Sequence, residues 1–434
     1  DGGTGGRDSR AMVKQSRQYH PNDIGVISEA TKDSSDVAIN TYLTANPAFT
    51  SIRGLSKVSK PKETPPASLV STSALVSVAG DQDSAQRLNM VSIQQDHAVA
   101  CKGYQAPYVR TGYEQVLAHR VSSAFATQAE LDGKVLEVTK DSVVIEYKDG
   151  TKKGYPIGTI FSRSSDMTVP HALKTDLKPG AKVKAGDILT YNSGFFARDK
   201  LNPKAVVWKN SLLATVALLE SRQTHEDACA LSSQLVQKLT SRVTKTKDVT
   251  VEFNQAVHNP VKPGDKVEYD TILCYIEEAV TSGANLLSKS SIDTLKRLSR
   301  QSPRAKVEGI VEKIEVYYNG DIEDMHPSLQ PLAIESNKNL AKQARATLSR
   351  PVTGSVDESF RIKGEPLLMD TLVIRFYITH DVPSGLGDKF VFANQLKTIC
   401  SEVMDYDVVT ESGKQVDAFF GAQSIFNRIV NSAF

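Results

Sequence analysis

The sequence lacks the patterns by which several classes of protein are recognised. Its 434 residues carry a net charge of only +2, so bulk charge gives no reason to propose nucleic-acid binding, which would need local basic clusters. The four cysteines form no C-x-x-C pair and the eight histidines no H-x-x-H pattern, so neither a zinc site nor a disulfide framework is indicated. No apolar run reaches the roughly 18 residues of a membrane-spanning helix, and no signal peptide is visible. What remains is ordinary globular composition in a chain long enough for roughly two to four modules.

Short alternating apolar runs predict a β-rich fold. Runs at Val135–Val138 and Val143–Tyr147, closed by a turn at Lys148–Gly150, predict strands of a half-buried sheet. The phrases Lys178–Val183 and Lys262–Val267 each place a Pro-Gly turn between short strands, as in a small barrel. Because helices are also predicted, the expected fold class is mixed α/β with β structure dominant.

Apolar spacing and local composition predict the remaining elements. Helical spacing predicts a helix at Asp227–Leu239, with Thr224 as its N-terminal cap, after a buried strand at Val216–Glu220. The other elements predicted are strands at Val307–Tyr318 and Leu372–Ile378, a cationic helix at Asn337–Arg350, an extended linker at Lys57–Ser68 and a mobile basic arm at Asn285–Lys306.

Three polar segments are the candidates for chemistry, although each has an ordinary explanation when taken alone. Lys389 follows a Pro383–Gly387 turn, and Lys397 lies eight residues further on; such lysines are usually solvated surface residues. The acidic residues of His225–Asp227 would complement the dipole at the start of the predicted helix. By composition, Gln82–Met90 is only a polar helix.

Taken together, the order and spacing of these segments resemble the β-type, second-largest subunit of multisubunit RNA polymerases. Asp83–Met90, read as D-x-x-x-R-x-x-M, and T-G-x-E at Thr111–Glu114 resemble that family's "DDANRALM" and "VGTGME". The HED at His225–Asp227 resembles "FED", and Gly387–Lys397 resembles "GDKMAGRHGNKG". Arg428 lies where the family has "PSRMN", and the resemblance runs with gaps over nearly the whole chain.

Departures from the family pattern indicate a diverged relative. Gln115 replaces an arginine, and Phe392–Leu396 replaces "GRHGN", so that an arginine, a histidine and two glycines are lost. Such divergence resembles the split RNA polymerases of giant bacteriophages, which implies a location in the cytoplasm of an infected bacterial host or in the virion. The family's subunit extends well beyond this chain, which suggests a split or truncated gene.

The resemblance implies the central-to-C-terminal part of the subunit, built on a double-psi β-barrel that binds the RNA–DNA hybrid. The domains expected are a fork-like region at 1–67, the hybrid-binding region with the first part of the barrel at 68–240, a flap or wall insertion at 241–370, and the second part of the barrel with the lysine pair at 371–434. The basic arm Lys289–Lys306 is then either a guide for exiting RNA or a solvated loop.

The resemblance also implies roles for individual residues. Lys389 and Lys397 contact the RNA 3′-terminal phosphates and the incoming nucleotide, and Arg428 grips the triphosphate. The pair Glu226–Asp227 lies near the nucleotide-borne Mg²⁺ and acts through water, because Mg²⁺ gives up its water reluctantly. Arg87 lies near the template or hybrid.

The resemblance further implies that another chain supplies the metal site. The sequence contains no D-x-D-x-D motif, since Asp81–Asp83 and Asp405–Asp407 each supply only two of the three carboxylates. Tightly held Mg²⁺ is therefore expected on a β′-type partner. The other partners expected are an N-terminal β-type fragment, a promoter-recognition subunit, template DNA, transcript RNA and nucleoside triphosphates, with no membrane.

Two other functions stay open at this point. One is a structural assembly subunit that contacts no nucleotide, which the lost arginine and glycines favour. The other is a β-barrel protein that binds single strands, which needs exposed aromatic side chains interleaved with basic ones. The aromatic pairs Tyr317–Tyr318 and Phe419–Phe420 do not lie in basic runs.

Overall fold

The computed structural model describes residues 8–47, 65–164, 167–277, 301–350, 352–428 and 430–434. Most of the predicted linker and most of the basic arm lie outside these ranges, so both stay predictions, as does the division into four domains. The described chain forms two compact units. Unit 1 comprises the described residues up to Arg120 together with Val207–Ser241 and Pro383–Phe434, and unit 2 comprises Val121–Val206 and Arg242–Val382. The candidate segments near 83, 226, 389 and 428 therefore all belong to unit 1.

Strands dominate both units. In chain order the strands are β1 (Ile27–Thr31), β2 (Thr41–Leu43), β3 (Ala126–Gln128), β4 (Gly133–Val138), β5 (Ser142–Tyr147), β6 (Lys152–Pro156), β7 (Gly158–Ser164), β8 (Met167–Lys174), β9 (Lys182–Val183), β10 (Ile188–Asn192), β11 (Phe196–Arg198), β12 (Val206–Trp208), β13 (Val216–Leu218), β14 (Ala228–Ser232), β15 (Ser241–Glu252), β16 (Ala256–His258), β17 (Lys266–Val267), β18 (Tyr275–Glu277), β19 (Gly309–Asn319), β20 (Arg361–Ile362), β21 (Glu365–Pro366), β22 (Thr371–Val382), β23 (Lys389–Phe392), β24 (Leu396–Met404) and β25 (Ala418–Phe420).

The α-helices described are shorter in total and lie between these strands. They are α1 (Thr72–Leu75), α2 (Ala85–Asp96), α3 (Tyr113–Arg120), α4 (Ser233–Lys238), α5 (Gln330–Ala346) and α6 (Ala422–Phe426). The predicted β-rich, mixed α/β class is confirmed. In the described ranges no helix has both the length and the apolar character needed to cross a membrane.

Unit 1 is organised around a five-stranded mixed sheet in the order β13-β25-β14-β24-β23. The central strand β14 runs parallel to β24 and antiparallel to β25, and β23 forms an antiparallel hairpin with β24. Its core is apolar, and the buried residues at its centre include Leu231, Leu396 and Phe420. Strands from separate stretches of sequence thus share one core.

Unit 2 contains a larger sheet and a smaller one. The larger sheet has the order β17-β19-β22-β15-β8-β10-β3, with β7 added on β8, and the smaller has the order β6-β5-β4-β9. The largest core cluster lies against β19 and β22 and includes Val311, Phe376 and Ile378. As described, the sheets of both units are open paths of strands and do not close into a barrel, so the double-psi arrangement stays a prediction.

Most of the local predictions in unit 2 are confirmed. The predicted strands near 135, 143, 307 and 372 are β4, β5, β19 and β22, although several extend beyond the predicted bounds. The predicted helix at Asn337–Arg350 overlaps the later part of α5, which begins earlier, at Gln330, and ends earlier, at Ala346. The turns at Gly180 and Gly264 have φ of +84° and +99°, a conformation that favours glycine.

The predicted helix at Asp227–Leu239 is wrong over its first half. Residues Ala228–Ser232 form β14, and only Ser233–Lys238 is helical. A short apolar run fits both a buried strand and a buried helix, and here pairing with strands on both sides decides for the strand. Thr224 therefore caps no α-helix, and it ends a short 3₁₀ turn that Ser221 caps.

The predicted buried strand at Val216–Glu220 is also wrong in its burial. It is β13, an edge strand of the unit 1 sheet. Val216 and Leu218 are 38% and 53% exposed. An edge strand lacks a neighbour on one side, so apolar composition alone did not bury it.

Candidate functional site

Lys389 and Lys397 lie on the same face of one antiparallel hairpin. Lys389 pairs with Ile399 and Lys397 pairs with Val391, so the two lysines occupy diagonal positions across β23 and β24. Diagonal side chains in such a pair lie about 7–8 Å apart or somewhat less, close enough for both to reach one ligand. The hairpin therefore brings together two lysine side chains that are eight residues apart in sequence.

Packing of the opposite face determines which way the lysines point. Leu396, Thr398 and Cys400 are buried, whereas the alternating positions between them are exposed. Phe392 stacks on Phe420 with ring centroids 4.9 Å apart. A slip of one residue would exchange the two faces, so this packing fixes the register that exposes Lys397. In the described chain, neither lysine ammonium has a hydrogen bond or ion pair, so both are available to a ligand.

The acidic segment Glu226–Asp227 is attached to the same strand, next to Lys397. The carbonyl oxygen of Asp227 accepts a hydrogen bond from the N–H of Ile399 at 2.9 Å and from the hydroxyl of Thr398 at 2.7 Å. From the next residue onward β14 runs parallel to β24. Parallel pairing thus brings together segments that are 171 residues apart in sequence.

Arg428 closes the cluster by pairing with Asp227. Its Nη1 and Nη2 donate to the two carboxylate oxygens at 2.8 and 2.7 Å, and Nη1 also donates to the Ser424 carbonyl at 3.0 Å. The hydrogen bond with Asp227 raises the pKa of Arg428. Because a guanidinium has five N–H donors, this pairing leaves donors of Arg428 for a ligand.

The backbone around Glu226 has an unusual conformation. Glu226 has φ of +55°, which is uncommon for a residue with a side chain, and its carbonyl accepts a hydrogen bond from the Ser424 hydroxyl. Gly421 packs so closely that a Cβ there would lie 2.6 Å from the Thr224 carbonyl oxygen. The Glu226 carboxylate is exposed and has no hydrogen-bond or ion-pair partner among the described residues.

The two acidic residues differ in how well they suit Mg²⁺. The carboxylate of Glu226 can accept hydrogen bonds from water bound to Mg²⁺, as a water-mediated role requires. Asp227 fits less well, because both of its oxygens face Arg428. Over the described ranges, no three His, Cys, Asp or Glu side chains are grouped so that they could hold a metal ion.

Arg87 is not joined to this cluster by any hydrogen bond or ion pair of the described residues. It lies in the first turn of α2, where its N–H bonds to the Ser84 hydroxyl at 3.4 Å. Its predicted role near the hybrid stays a prediction. Sequence reasoning gave no role to Asp83 or Gln395, whose side chains form a 2.9 Å hydrogen bond that joins the segment before α2 to the lysine hairpin. No local signal reveals this contact, because the two residues are 312 positions apart.

A polar cluster in unit 2 has the residue types of a hydrolase triad but the opposite hydrogen-bond direction. His171 Nε2 lies 2.6 Å from the Ser162 hydroxyl, and its Nδ1 lies 2.8 Å from Asn192 Nδ2. The Asn192 oxygen accepts from the Gly194 N–H, so the Asn192 amide nitrogen donates to Nδ1. The proton of neutral His171 then lies on Nε2 and points at Ser162, so His171 cannot act as a base toward that hydroxyl.

Comparison with known proteins identifies a consistent class of relatives. No protein-family profile matches the chain. Part of the chain is similar to bacterial proteins described as the β subunit of DNA-directed RNA polymerase.

Three relatives illustrate the extent of the similarity. The chain is 31% identical to the β subunit of Thermus thermophilus over 166 residues, 34% identical to that of Desulfatibacillum aliphaticivorans over 130, and 36% identical to that of Streptococcus pneumoniae over 109. These matches cover 36%, 29% and 25% of this chain. They span only 13%, 9% and 9% of the relatives' own length.

Proposed function

We propose that this chain is part of a β-type subunit of a DNA-dependent RNA polymerase. In this proposal it holds the RNA–DNA hybrid and the incoming nucleoside triphosphate beside the Mg²⁺-binding aspartates of a β′-type partner. The observation that carries the proposal is the meeting of Lys389, Lys397 and Arg428 with the acidic pair Glu226–Asp227 at one end of the unit 1 sheet.

The chemistry of nucleotide addition matches this arrangement of charge. Phosphoryl transfer is catalysed mainly by positioning and by stabilising negative charge on the phosphates. Lys389 and Lys397 are flexible point charges with three donors each, suited to the RNA 3′-terminal phosphate and the triphosphate. Arg428 offers its remaining donors to a phosphate oxygen while Asp227 holds its plane in place. Mg²⁺ held by the partner would activate the attacking oxygen and stabilise the leaving one.

The finer assignments belong to the same proposal. The unit 1 sheet would be the double-psi β-barrel region, which is supported by its mixed parallel and antiparallel pairing. The fork-like region, the flap or wall insertion and the template contact of Arg87 follow from the family resemblance. So do the N-terminal β-type fragment, the promoter-recognition subunit and the phage origin, with the infected cell or the virion as location.

A structural subunit without nucleotide contacts is the second candidate. Phe392 and Leu396 pack into the core, where the family resemblance has a glycine and an asparagine, so the turn could serve folding alone. Crosslinking of RNA tagged at its 3′ end separates the two functions: adducts near 389–397 support nucleotide handling, and their absence supports assembly. A single-strand-binding platform is disfavoured, because Tyr318 and Phe420 are 5% and 1% exposed and cannot stack on bases.

Alanine substitution of the two lysines tests the proposal. Lys389→Ala and Lys397→Ala should each slow nucleotide addition about a hundredfold, as loss of one preorganised charge contact does, while the complex still assembles. The matched control is Lys414→Ala, an exposed lysine of unit 1 outside the hairpin. If both hairpin variants extend RNA at the normal rate in the purified complex, the assignment of these lysines is wrong.

A further inference from the structure

The turn between Lys389 and Lys397 is attached to the segment that begins α2. The Asp83 carboxylate accepts hydrogen bonds from Gln395 Nε2 at 2.9 Å, from the Ser432 hydroxyl at 2.5 Å and from the Ser432 N–H at 3.1 Å. We propose that Asp83 is the positioning residue of the lysine hairpin. Its hydrogen bond to Gln395 anchors the end of the hairpin and so fixes the position of both lysine side chains. This inference rests on the proposed function, because the anchor matters for activity only if the two lysines contact phosphates.

The hairpin needs such an anchor because of its place in the sheet. Among the described strands β23 lies at the edge of the sheet and pairs with β24 alone, so no described strand restrains its outer side. The turn that joins the two strands includes Ala393, whose φ of +52° is costly for a residue with a side chain. A hairpin end of this kind opens readily unless side-chain contacts hold it.

Gln395 connects the hydrogen bond of Asp83 to the strand that carries Lys397. Its side chain is 3% exposed, and Lys397 follows it by two residues in the same strand segment. Gln94 of α2 also donates to the Gln395 carbonyl at 3.3 Å, and Asn394 donates to the Val78 carbonyl at 3.5 Å. The turn is therefore held from the α2 side by both its backbone and its side chain.

Asp83 acts here as a hydrogen-bond acceptor and not as one half of an ion pair. Within the described ranges no cation pairs with it, and its three hydrogen bonds come from neutral donors. Hydrogen bonds to an ionised acceptor are about twice as strong as neutral ones, so one carboxylate can hold two segments at once. Asn431 reinforces the second segment by donating to the Gln82 carbonyl at 2.9 Å.

Hydrogen exchange on the full chain tests the anchor without reference to activity. Asp83→Ala should speed amide exchange in residues 392–396 by about tenfold or more, the opening expected when bonds to a charged group are lost. Asp81→Ala is the matched control, because that carboxylate is exposed and accepts a hydrogen bond from its neighbour Gln82. Unchanged exchange at the hairpin in Asp83→Ala overturns the inference, whatever the function of the chain.

Nucleotide addition by the purified complex tests whether the anchor acts through the lysines. Asp83→Ala should slow addition about tenfold alone, but less than twofold in a chain that already carries Lys389→Ala and Lys397→Ala, because effects along one path are not additive. An undiminished effect in that background contradicts a positioning role. If the lysine variants themselves work normally, the proposed function fails while the exchange result for the anchor stands.

The isostere separates positioning from a direct effect of charge. Asp83→Asn keeps one acceptor oxygen and gains an amide that donates. The Gln395 Oε1 has no partner in the described chain, so a flip of the Gln395 amide lets this oxygen accept a hydrogen bond from the new asparagine. Positioning therefore predicts that Asp83→Asn restores part of the protection and rate lost in Asp83→Ala, because the asparagine keeps hydrogen bonds to both segments without the added strength of the charge. An asparagine variant as impaired as the alanine variant shows that the negative charge is what matters and overturns the inference.

Discussion

Each unit of the molecule contains a bidentate Asp–Arg pair, but the two pairs differ in burial. In unit 1 Arg428 donates to Asp227 at 2.8 and 2.7 Å, and the side chains are 29% and 47% exposed. In unit 2 Arg375 donates to Asp248 at 2.7 and 3.0 Å, and the side chains are 13% and 11% exposed. A two-point Asp–Arg pair thus occurs once beside solvent, through Nη1 and Nη2 of Arg428, and once largely buried, through Nε and Nη2 of Arg375.

Their surroundings show what this difference means. The guanidinium of Arg375 lies over the Tyr317 ring, 5.4 Å from its centroid. The Tyr317 and Tyr377 hydroxyls both donate to Glu315 at 2.7 Å, and Lys313 pairs with the same carboxylate at 2.6 Å. These groups satisfy one another, as buried polar groups must. The unit 1 pair instead lies beside two lysines without partners in the described chain, so it can still take up a ligand.

The largest expected effect comes from breaking the buried pair. Asp248→Ala leaves the Arg375 charge buried and uncompensated, which should destabilise unit 2 by about 3–5 kcal/mol. Hydrogen exchange of the β22 amides, which lie in unit 2, measures this loss. The double variant Asp248→Ala/Arg375→Met is the control and should recover much of it. If Asp248→Ala costs no more than Asp227→Ala, the contrast between the two pairs is false.

Removal of Arg428 should show the opposite balance of effects. Arg428→Ala breaks a pair that solvent screens, so unfolding should change by no more than about 1 kcal/mol. Nucleotide addition should fall about a hundredfold, because a phosphate contact is lost. Parallel measurement of denaturant unfolding and RNA extension checks both. Arg428→Lys keeps the charge without the planar fork, so its rate of nucleotide addition should lie between that of the unchanged chain and that of Arg428→Ala. Normal extension together with a large loss of stability in Arg428→Ala would show that this pair is structural too.

The smallest effect concerns the pH dependence of unit 2. Burial lowers the pKa of His171, which lies between Ser162 and Asn192. Above a pH of about 6.5, the ordinary histidine pKa, His171 is neutral in both states and contributes no pH dependence. Below that pH, His171 binds a proton in the unfolded chain but not in the folded chain. The free energy of unfolding should therefore fall by up to about 1.4 kcal/mol for each pH unit, until the pH reaches the lowered pKa.

The matched variant for this effect is His171→Gln, which removes the titrating group. Its stability, followed by hydrogen exchange of β8, should fall less between pH 6.5 and the lowered pKa than that of the unchanged chain. An equal slope in the two proteins would assign the pH dependence to other groups.

Sequence reasoning succeeded where a pattern depends on neighbours along the chain. Alternation located β4, β5 and β19, since a strand with one buried face repeats every two residues, and a short apolar run located β22. It failed at Ala228–Ser232, where a buried strand and a helix have the same apolar composition, and at β13, whose exposure depends on its place at the sheet edge. In both cases the deciding interaction comes from another strand.

The candidate site shows the same division. The sequence by itself determined the residue types and the turn before Lys389, because a turn depends on neighbouring residues, whereas the pairing that puts both lysines on one face belongs to the folded hairpin. Only the tertiary structure decided that Asp227 meets Arg428, 201 residues away, and that Asp83 holds Gln395, 312 residues away. Contacts of that range depend on how distant segments share one core, which no local pattern encodes.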